Sequence, residues 1–356
     1  MKFSKMIHVA RVEQGWTLAA LATRMSIDAA IISKVERGLR RATRGQVGQF
    51  IDVLGLSEKD AFTAWLSDKI LAELEGEPFA MEAFVVAEKE VKYLRKQQQD
   101  EASQLQTGFD GLVTQLDELA SQWKAKKPLA GIQLEKLQEY FNVAYTYDSN
   151  KIEGNTLTLQ ETHLVVNEGL TIGGKSMREH LEAVNHHEAI DYLHELAQKN
   201  VKISERVIKE LHYLVLKGID RENAGRYRTV PVIISGSAHK PPQPYLLARK
   251  MEELMEFYDA KKQVLHPVIL AAEMHLRLVT IHPFIDGNGR TSRLLMNLIL
   301  LQNGFTIANL KGTDQARLAY YQALENAQAD EEHRDFYRLI LEVCVESLES
   351  HLEMVG

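Results

Sequence analysis

The chain has 356 residues and a net charge of −7, which leaves room for two or three domains with sizeable cores. Its single cysteine, Cys344, excludes an intrachain disulfide and fits a reducing compartment. No apolar run reaches about 18 residues, and the first residues lack the apolar stretch of a signal peptide, so we expect a cytoplasmic protein without membrane segments. Helical periodicity dominates and strand signals are few, which predicts a mostly α fold.

The charge is unevenly distributed along the chain. Residues 1–50 hold nine basic and three acidic residues, a balance of +6, so the remainder carries −13. A basic N-terminal segment on an otherwise acidic chain indicates that this segment binds a polyanion. We therefore expect DNA as a partner of the N-terminal segment.

The first 60 residues carry the pattern of several short helices. Residues 3–14 form the first predicted helix. Thr17 is placed to cap a second helix, 18–25, and Asp28 to cap a third, 29–37. Two short helices joined by a tight turn, with polar and basic side chains on the second, are a DNA-reading arrangement. We predict a helix-turn-helix DNA-binding domain over residues 1–60.

The stretch from Thr17 to Gly38 resembles the helix-turn-helix family of phage-repressor type, over about residues 4–58. Ala29 and Ala30 depart from that family, because small residues stand where base-contacting polar groups often lie. Basic side chains that hold phosphates position such a domain without reading sequence. The candidate DNA-binding residues are Ser33, Lys34, Arg37, Arg40 and Arg41. The alternative is a helix-turn-helix used only for protein contacts, since a fold alone does not assign a function.

Residues 61–130 are predicted as a charged, helical linker. Its apolar residues follow a 4-3-4-3-4 spacing, which is a heptad seam: Leu105, Phe109, Leu112, Leu116, Leu119 and Trp123. Phe84, Val91 and Leu94 begin a similar face, which residues 97–100 interrupt. A helical hairpin packed on the next domain and a coiled coil that forms a homodimer both fit this spacing. Pro128 is expected to end the region.

Two segments before the main motif stand out. A helix is predicted over residues 134–153, ended by Gly154, and Glu153 projects from its last turn either into a guanidinium site or into solvent. Residues 226–236 carry the one clear strand signal, since they are β-branched and bounded by Gly225 and Gly236. They predict a small β-hairpin.

The strongest motif is H-x-F-x-D-G-N-G-R-x-x-R, which runs from His282 to Arg293. Apolar helical patterns flank it, and a proline and two glycines interrupt them, which predicts helix, tight loop, helix. Unpartnered N–H groups and the helix dipole make the start of the second helix an anion site, which Gly287 and Gly289 let a phosphate approach closely. Arg290 and Arg293 can each fork onto phosphate oxygens.

Two further side chains of the loop suit phosphate chemistry. Asp286 is a hard oxygen ligand, appropriate to Mg²⁺ carried by a nucleotide. His282 stands at the loop entrance, where a base with a near-neutral pKa is useful. An ordinary corner between two helices with a surface histidine is the structural alternative.

The complete pattern resembles the Fic family of nucleotide transferases, without a departure at its fixed positions. The resemblance implies an all-α Fic domain over 131–356 that transfers AMP from ATP, with Mg²⁺, to a Ser, Thr or Tyr hydroxyl of a protein, its own chain included. In that mechanism His282 is the general base and Asp286 holds Mg²⁺. Asn288 and the loop backbone stabilise the α-phosphate, while Arg290 and Arg293 bind the β- and γ-phosphates.

The resemblance extends beyond the loop. Ser149, Glu153 and Gly154 match the family's inhibitory motif S/T-x-x-x-E-G/N, in which the Glu pairs with the second arginine of the loop. The predicted hairpin resembles the family's flap, which holds a target by strand addition. The resemblance also places Tyr320, Tyr321 and Gln328 near the adenine and ribose of ATP. The implied ATP-binding residues are Val232, Ile233, Ile234, Ser235, Asp286, Gly287, Asn288, Gly289, Arg290, Thr291, Ser292, Arg293, Tyr320, Tyr321 and Gln328.

Two other functions stay open. The chain could be mainly a transcription regulator whose Fic domain acts as a nucleotide sensor or self-modifying switch. Glu153 could instead be catalytic and align water to remove AMP. Glu273, His275 and His282 are not expected to form a metal site. His275 and His282 lie seven residues apart across a helix end, and no third ligand stands at standard spacing from them. Cys344 is expected to be inert core.

Overall fold

The computed structural model describes residues 2–126, 132–329 and 333–355, without the side chains of residues 95, 97–104 and 132–135. It divides into two compact units, Met1–Leu94 and Arg95–Gly356. Helices dominate both units, which confirms the predicted mostly α class. No helix in the described ranges is long and apolar enough to cross a membrane. The predicted division at residues 130 and 131, and Pro128, lie outside the described residues.

Short helices build the N-terminal unit. Thr17 Oγ1 accepts a hydrogen bond of 3.1 Å from the Ala20 N–H, and Asp28 Oδ1 accepts one of 2.7 Å from Ala30, so both predicted caps are present. Ser26 adopts the left-handed conformation between them and makes the tight turn. The helices are α1 Phe3–Glu13, α2 Leu18–Met25, α3 Ala29–Glu36, α4 Arg44–Leu54, α5 Glu58–Leu74 and α6 Ala80–Gln106, which continues past the unit boundary.

Helix α5 belongs to the same compact core as the four helices before it. Ala61, Ala64 and Trp65 are buried with the residues of α1–α4. The Trp65 indole N–H donates to the Ala42 carbonyl at 2.8 Å, which satisfies its polar edge inside the core. The N-terminal core therefore continues beyond residue 60.

The C-terminal unit is organised around two buried helices. Nearly every side chain of α13 and α14 is buried, and the two helices pack against each other. A helix that is buried on all faces lies at the centre of its domain. The helices are α7 Asp110–Lys126, α8 Ile132–Ile152, α9 Leu159–Glu168, α10 Met177–Gln198, α11 Glu205–Leu216, a 3₁₀ turn Pro244–Leu246, α12 Leu247–Lys261, α13 Pro267–Ile281, α14 Asn288–Gln302, α15 Asp314–Ala329 and α16 Arg334–Val355.

The heptad-spaced residues pack within the chain. Gly108 separates α6 from α7, so the seam is not one continuous helix. Phe109, Leu116 and Trp123 are buried in the core of the C-terminal unit, and α7 packs against α16. The spacing allows a helical hairpin packed on the next domain or a dimerising coiled coil, and this part of the seam therefore adopts the packed arrangement. Phe84, Val91 and Leu94 are exposed.

The predicted β-hairpin at residues 226–236 is wrong. The segment is irregular, with bends at residues 229–230 and a turn at 235–236, and it forms no strand ladder. The Arg228 guanidinium donates to the carbonyls of His282 (2.8 Å), Val230 (3.1 Å) and Pro242 (2.6 Å). Prolines inside and after the run also lack the N–H that a ladder needs. The run has strand propensity, but a hairpin also needs a partner strand.

Cys344 is buried in α16, and its burial raises the pKa of the thiol, which agrees with the expected inert core position.

Candidate active site

The loop between α13 and α14 is held by its own side chains. His282 ends α13 in the left-handed conformation, with φ 49° and ψ 57°, and Gly287, with φ 76°, starts α14. Phe284 is fully buried and stacks on the His212 ring at 3.6 Å. Asn288 Nδ2 donates to the Phe284 carbonyl, and the Phe284 N–H donates to Asn288 Oδ1. The Asn288 side chain therefore braces the loop, which leaves its backbone N–H as the group that can face a phosphate.

His282 is held as a neutral base. Its Nδ1 lies 3.2 Å from the Val279 carbonyl, which can only accept, so Nδ1 carries the proton and Nε2 has the free lone pair. Burial lowers the pKa of the ring below its ordinary value, more strongly than this carbonyl raises it. The Arg228 guanidinium fixes the backbone carbonyl of the same residue. The imidazole is thus unprotonated at neutral pH and has one nitrogen available.

An anion site forms above Gly289, in the first turn of α14. A Cβ atom at this glycine would lie 2.5 Å from Glu153 Oε1 and 3.2 Å from Arg293 Nη1. A carboxylate and a guanidinium therefore converge on the helix N-terminus, where N–H groups lack helical partners and the dipole favours negative charge. The carboxylate of Glu153 thus lies beside the first turn of α14, next to the Arg293 guanidinium.

Arg293 and Glu153 form a largely enclosed ion pair. Arg293 Nη2 lies 2.7 Å from Glu153 Oε1, with the two side chains 1% and 30% exposed. Ser149 adds two acceptors, its Oγ for Nε at 3.1 Å and its carbonyl for Nη2 at 2.9 Å. The nearby carboxylate raises the pKa of Arg293 against the opposing effect of burial. The pair that the resemblance implies between the inhibitory segment and the loop is present.

The end of helix α8, which Glu153 directly follows, is fastened on two sides. Asp148 accepts from the Gly312 N–H at 2.9 Å and from Asn309 Nδ2 at 2.7 Å, which ties α8 to the segment before α15. A Cβ at Gly312 would lie 2.5 Å from a side-chain carbon of Lys151, so the two segments are in close contact. Asn155 Nδ2 donates to α10 on the other side. Glu153 therefore has little freedom, and its pairing costs little conformational entropy.

Arg290 is buried beside two carboxylates. Its Nη1 lies 3.4 Å from Glu182 Oε1 and its Nη2 lies 3.6 Å from Asp286 Oδ1. In the described part of the chain, Arg290 Nε and Arg293 Nη1 are buried without a hydrogen-bond partner. Buried donors of this kind are normally satisfied, so both are available to an anionic ligand.

Asp286 lies at the rim of the loop. Its Oδ1 accepts from the Gly287 N–H at 2.6 Å, and its Oδ2 lies 2.7 Å from Arg178 Nη2. Its pKa is lowered below the ordinary range by the charges of Arg290 and Arg178 and by the Gly287 N–H, which together outweigh the larger single effect of burial. The carboxylate is therefore ionised. In the described ranges, no group of three His, Cys, Asp or Glu side chains could hold a metal by itself. One ionised carboxylate fits Mg²⁺, which commonly takes its other ligands from water and substrate phosphates.

The remaining predicted ATP-binding residues differ in their accessibility. Tyr320 is buried and its hydroxyl lies 3.0 Å from His275 Nε2. Tyr321 is partly exposed and donates to the Ile152 carbonyl at 3.1 Å, beside Glu153. Thr291 and Ser292 are fully buried, and their hydroxyls have no hydrogen-bond partner among the described residues. Gln328 Nε2 donates to Thr280 at 3.2 Å.

The segment at the predicted flap, residues 226–236, keeps its middle exposed. Ile233 is 93% exposed, and Val232 and Ile234 are half-buried. Ser237 and the Ala238 N–H donate to the Glu325 carboxylate, which holds the far end. Ser235 is also exposed.

Several residues of the site were not predicted from the sequence. Arg178 and Arg228 contact the loop, Glu182 contacts Arg290 in the first turn of α14, and Asp148 fastens the end of α8. The only local signal was the four-residue spacing of Arg178 and Glu182 on one helix, which predicts a pair but not its contact with the loop.

The basic candidates for DNA binding lie at the surface of the N-terminal unit. Arg37 Nε donates to the Ser33 carbonyl at 3.3 Å, and Arg41 lies 3.6 Å from an exposed carboxylate of Glu73. Ser33 is half-buried, and the exposed members are Lys34, Arg37, Arg40 and Arg41. The structure thus leaves these cations accessible to a polyanion.

Two family models match the chain. Residues 202–300 match the Fic/DOC family, and residues 6–62 match a helix-turn-helix domain. The C-terminal unit therefore contains a Fic/DOC domain, and the N-terminal unit contains a helix-turn-helix domain. The match to the first includes the whole loop motif but not Glu153.

Curated relatives and solved structures agree with these matches. The chain is 38% identical over 217 residues to the protein adenylyltransferase Fic of Nematostella vectensis, covering 60% of this chain and 49% of that protein. It is 37% identical over 224 residues to the protein of the same name from Drosophila grimshawi, covering 63% and 45%. The chain thus spans about half the length of the curated relatives it matches.

Two solved structures show the same fold. A Fic domain containing signaling protein from Bacteroides thetaiotaomicron VPI-5482 is 28% identical with a TM-score of 0.63, covering 68% of this chain and 96% of that chain. Fic-1 from C. elegans is 24% identical with a TM-score of 0.62, covering 98% of each chain.

Proposed function

We propose that the C-terminal unit is a protein adenylyltransferase that moves AMP from ATP to a Ser, Thr or Tyr hydroxyl of a protein, and that Glu153 inhibits it. The observation that carries the proposal is the convergence of Glu153 and Arg293 above Gly289, at the N-terminus of α14. An anion site with a carboxylate already in it suits a phosphate-binding enzyme held in an inactive state. The names of the relatives support the same activity.

The phosphates would lie along the first turn of α14. Its backbone N–H groups and the buried, unpartnered donors of Arg290 and Arg293 stabilise the negative charge. Asp286 would hold Mg²⁺, which neutralises phosphate charge when bound. Thr291 and Ser292 lie in the same part of α14, where the Thr291 N–H already donates to the Gly287 carbonyl and both hydroxyls lack a partner among the described residues.

His282 would act as the general base. The hydroxyl oxygen of the target forms a bond to the α-phosphorus, the bond to pyrophosphate breaks, and Nε2 takes the hydroxyl proton. Because Nδ1 is held by the Val279 carbonyl, Nε2 is the nitrogen with the lone pair. Base catalysis of this type contributes about 10²–10⁴-fold in rate.

The target backbone would bind along Val232–Ser235. The segment is held at both ends, by Arg228 and by Glu325, while Ile233 projects into solvent. Backbone that forms no strand ladder of its own can accept a target by strand addition. The target can be a second protein or the chain itself.

Glu153 would inhibit by taking the guanidinium that the γ-phosphate needs. Its carboxylate lies at the helix N-terminus, so a phosphate and Glu153 cannot occupy the site together. Once swung away from Arg293, the same carboxylate could align water for removal of AMP. The two roles differ in what the unmodified chain does to an adenylylated protein, because only the hydrolytic role removes AMP from it and loses that removal when Glu153 is replaced.

The N-terminal unit is proposed to bind DNA. Its charge of +6 over residues 1–50 and its exposed basic residues after α3 support this role. Regulation of transcription through the nucleotide state of the C-terminal unit would follow from such a fusion.

Intact-mass measurement tests the transferase. The chain, alone and with lysate proteins, is incubated with ATP and Mg²⁺, and the Glu153→Gly variant is compared with Glu153→Gly/His282→Ala. The proposal predicts AMP adducts in the first variant and none in the second. Absence of adducts on any protein in Glu153→Gly, or equal adducts in both variants, contradicts it.

A further inference from the structure

Arg178 contacts the loop of the active site from a different helix. It lies in the first turn of α10, and its Nη2 is 2.7 Å from Asp286 Oδ2 while its Nε is 3.2 Å from Glu182 Oε1. The guanidinium therefore bridges an acid of its own helix and the acid of the loop.

Arg178 is not needed to start α10. Ser176 and Glu179 already form a capping box, in which the Ser176 hydroxyl accepts from the Glu179 N–H and Glu179 accepts from the Ser176 N–H. Asn155 ties the same helix to the segment after Glu153. The contact of Arg178 with Asp286 therefore needs another explanation than the stability of the helix.

The ion pair between Arg178 and Asp286 can separate at little cost. The Arg178 side chain is 57% exposed and that of Asp286 is 43% exposed, so water screens their attraction. Exposed pairs of this kind contribute little to stability. Glu182 remains 3.2 Å from the guanidinium, so Arg178 keeps a partner when it leaves Asp286. Asp286 retains the Gly287 N–H and the nearby Arg290.

We propose that Arg178 is a resident counter-ion of Asp286 that competes with the divalent cation and thereby sets the Mg²⁺ concentration at which nucleotide binds. The inference rests on the proposed function. When the cation binds, Arg178 turns to Glu182. Arg178 is thus a positioning residue that acts through Asp286 and does not touch the reacting atoms.

The test is the Mg²⁺ dependence of ATP affinity. It uses isothermal titration calorimetry on the full chain in a Glu153→Gly/His282→Ala background, where the anion site is cleared and transfer is prevented. Replacing Arg178 by Gln should lower the Mg²⁺ concentration for half-maximal ATP affinity about threefold to tenfold, as expected for removal of a competing charge. Arg178→Lys retains the charge and should keep the background value.

Arg249→Gln is the matched control. Arg249 Nε lies 2.9 Å from Glu253 Oε1 at the same four-residue spacing, away from the loop, so its loss should leave the Mg²⁺ midpoint unchanged. An unchanged midpoint in Arg178→Gln overturns the inference. So does an equal loss of ATP affinity with Mg²⁺ and with EDTA, because that result makes Arg178 a phosphate ligand. If the background variant itself binds no ATP at any Mg²⁺ concentration, the proposed function fails and the inference fails with it.

Discussion

The Glu153→Gly variant should bind ATP much more tightly than the unmodified chain. The substitution removes the carboxylate that lies 2.7 Å from Arg293 Nη2 and fills the space above Gly289. Ser149 keeps its two hydrogen bonds to the guanidinium, so Arg293 stays in position. Glycine adds no bulk, and because residue 153 follows the last residue of α8, its backbone freedom costs little.

The magnitude follows from the burial of the pair. Arg293 is 1% exposed, so its bond to Glu153 is a charge-assisted hydrogen bond with limited screening, worth about 1.5–3 kcal/mol. ATP must displace that bond in the unmodified chain and need not in the variant. Since about 1.4 kcal/mol corresponds to tenfold, ATP affinity should rise about tenfold to a hundredfold.

Calorimetric titration of ATP with Mg²⁺ measures this effect, in a His282→Ala background that prevents transfer. Glu168→Gly is the matched control, because Glu168 is an exposed acid at the end of α9 that is also followed by glycine. It should leave ATP affinity unchanged. Arg293→Ala should abolish the gain, since the phosphate ligand itself is gone. Equal ATP affinity in Glu153→Gly and in the His282→Ala parent would refute the inhibitory role of the ion pair.

Three further outcomes are expected. Lys34→Ala combined with Arg37→Ala should weaken DNA binding. The slope of log affinity against log salt concentration should fall by about one unit for each phosphate that the domain no longer binds. DNA binding by residues 1–94 that is independent of salt would refute a DNA interface. Because burial lowers the pKa of His282 below its ordinary 6.5, AMP transfer by an uninhibited variant should be constant near neutral pH and fall only at more acidic pH; a half-loss above pH 6.5 would contradict a neutral base. Gly312→Ala should destabilise the C-terminal unit by about 1–3 kcal/mol in denaturant unfolding, since its Cβ would lie 2.5 Å from a side chain of α8. Gly111→Ala, with open space at its Cβ, is the control. Equal unfolding midpoints in Gly312→Ala and in the unmodified chain would contradict the close packing.

The loop was predictable because its chemistry is local. The fixed residues between His282 and Arg293 follow each other in sequence, so spacing alone indicates a glycine loop, a helix start and two arginines. The caps at Thr17 and Asp28 were predictable for the same reason, since each bonds an N–H two or three residues away.

Contacts between distant segments were less accessible to sequence reasoning. Arg178 and Asp286 are 108 residues apart, and neither position carries a signal that points to the other. The run 226–236 has strand propensity, but the propensity does not supply a partner strand, and the Arg228 side chain takes the carbonyls instead. Heptad spacing at Leu116 and Trp123 fitted both a partner helix within the chain and one outside it, and the buried core decided between them.

The most direct test of the account uses ATP labelled either at the α-phosphate or at the γ-phosphate. The Glu153→Gly chain is incubated with each label and Mg²⁺, and protein-bound label is measured beside the Glu153→Gly/His282→Ala chain. Transfer of AMP predicts incorporation from the α-label, none from the γ-label, and a loss of at least about 10²-fold when His282 is replaced. Incorporation from the γ-label, or equal incorporation from the α-label in both chains, would contradict AMP transfer with His282 as its base.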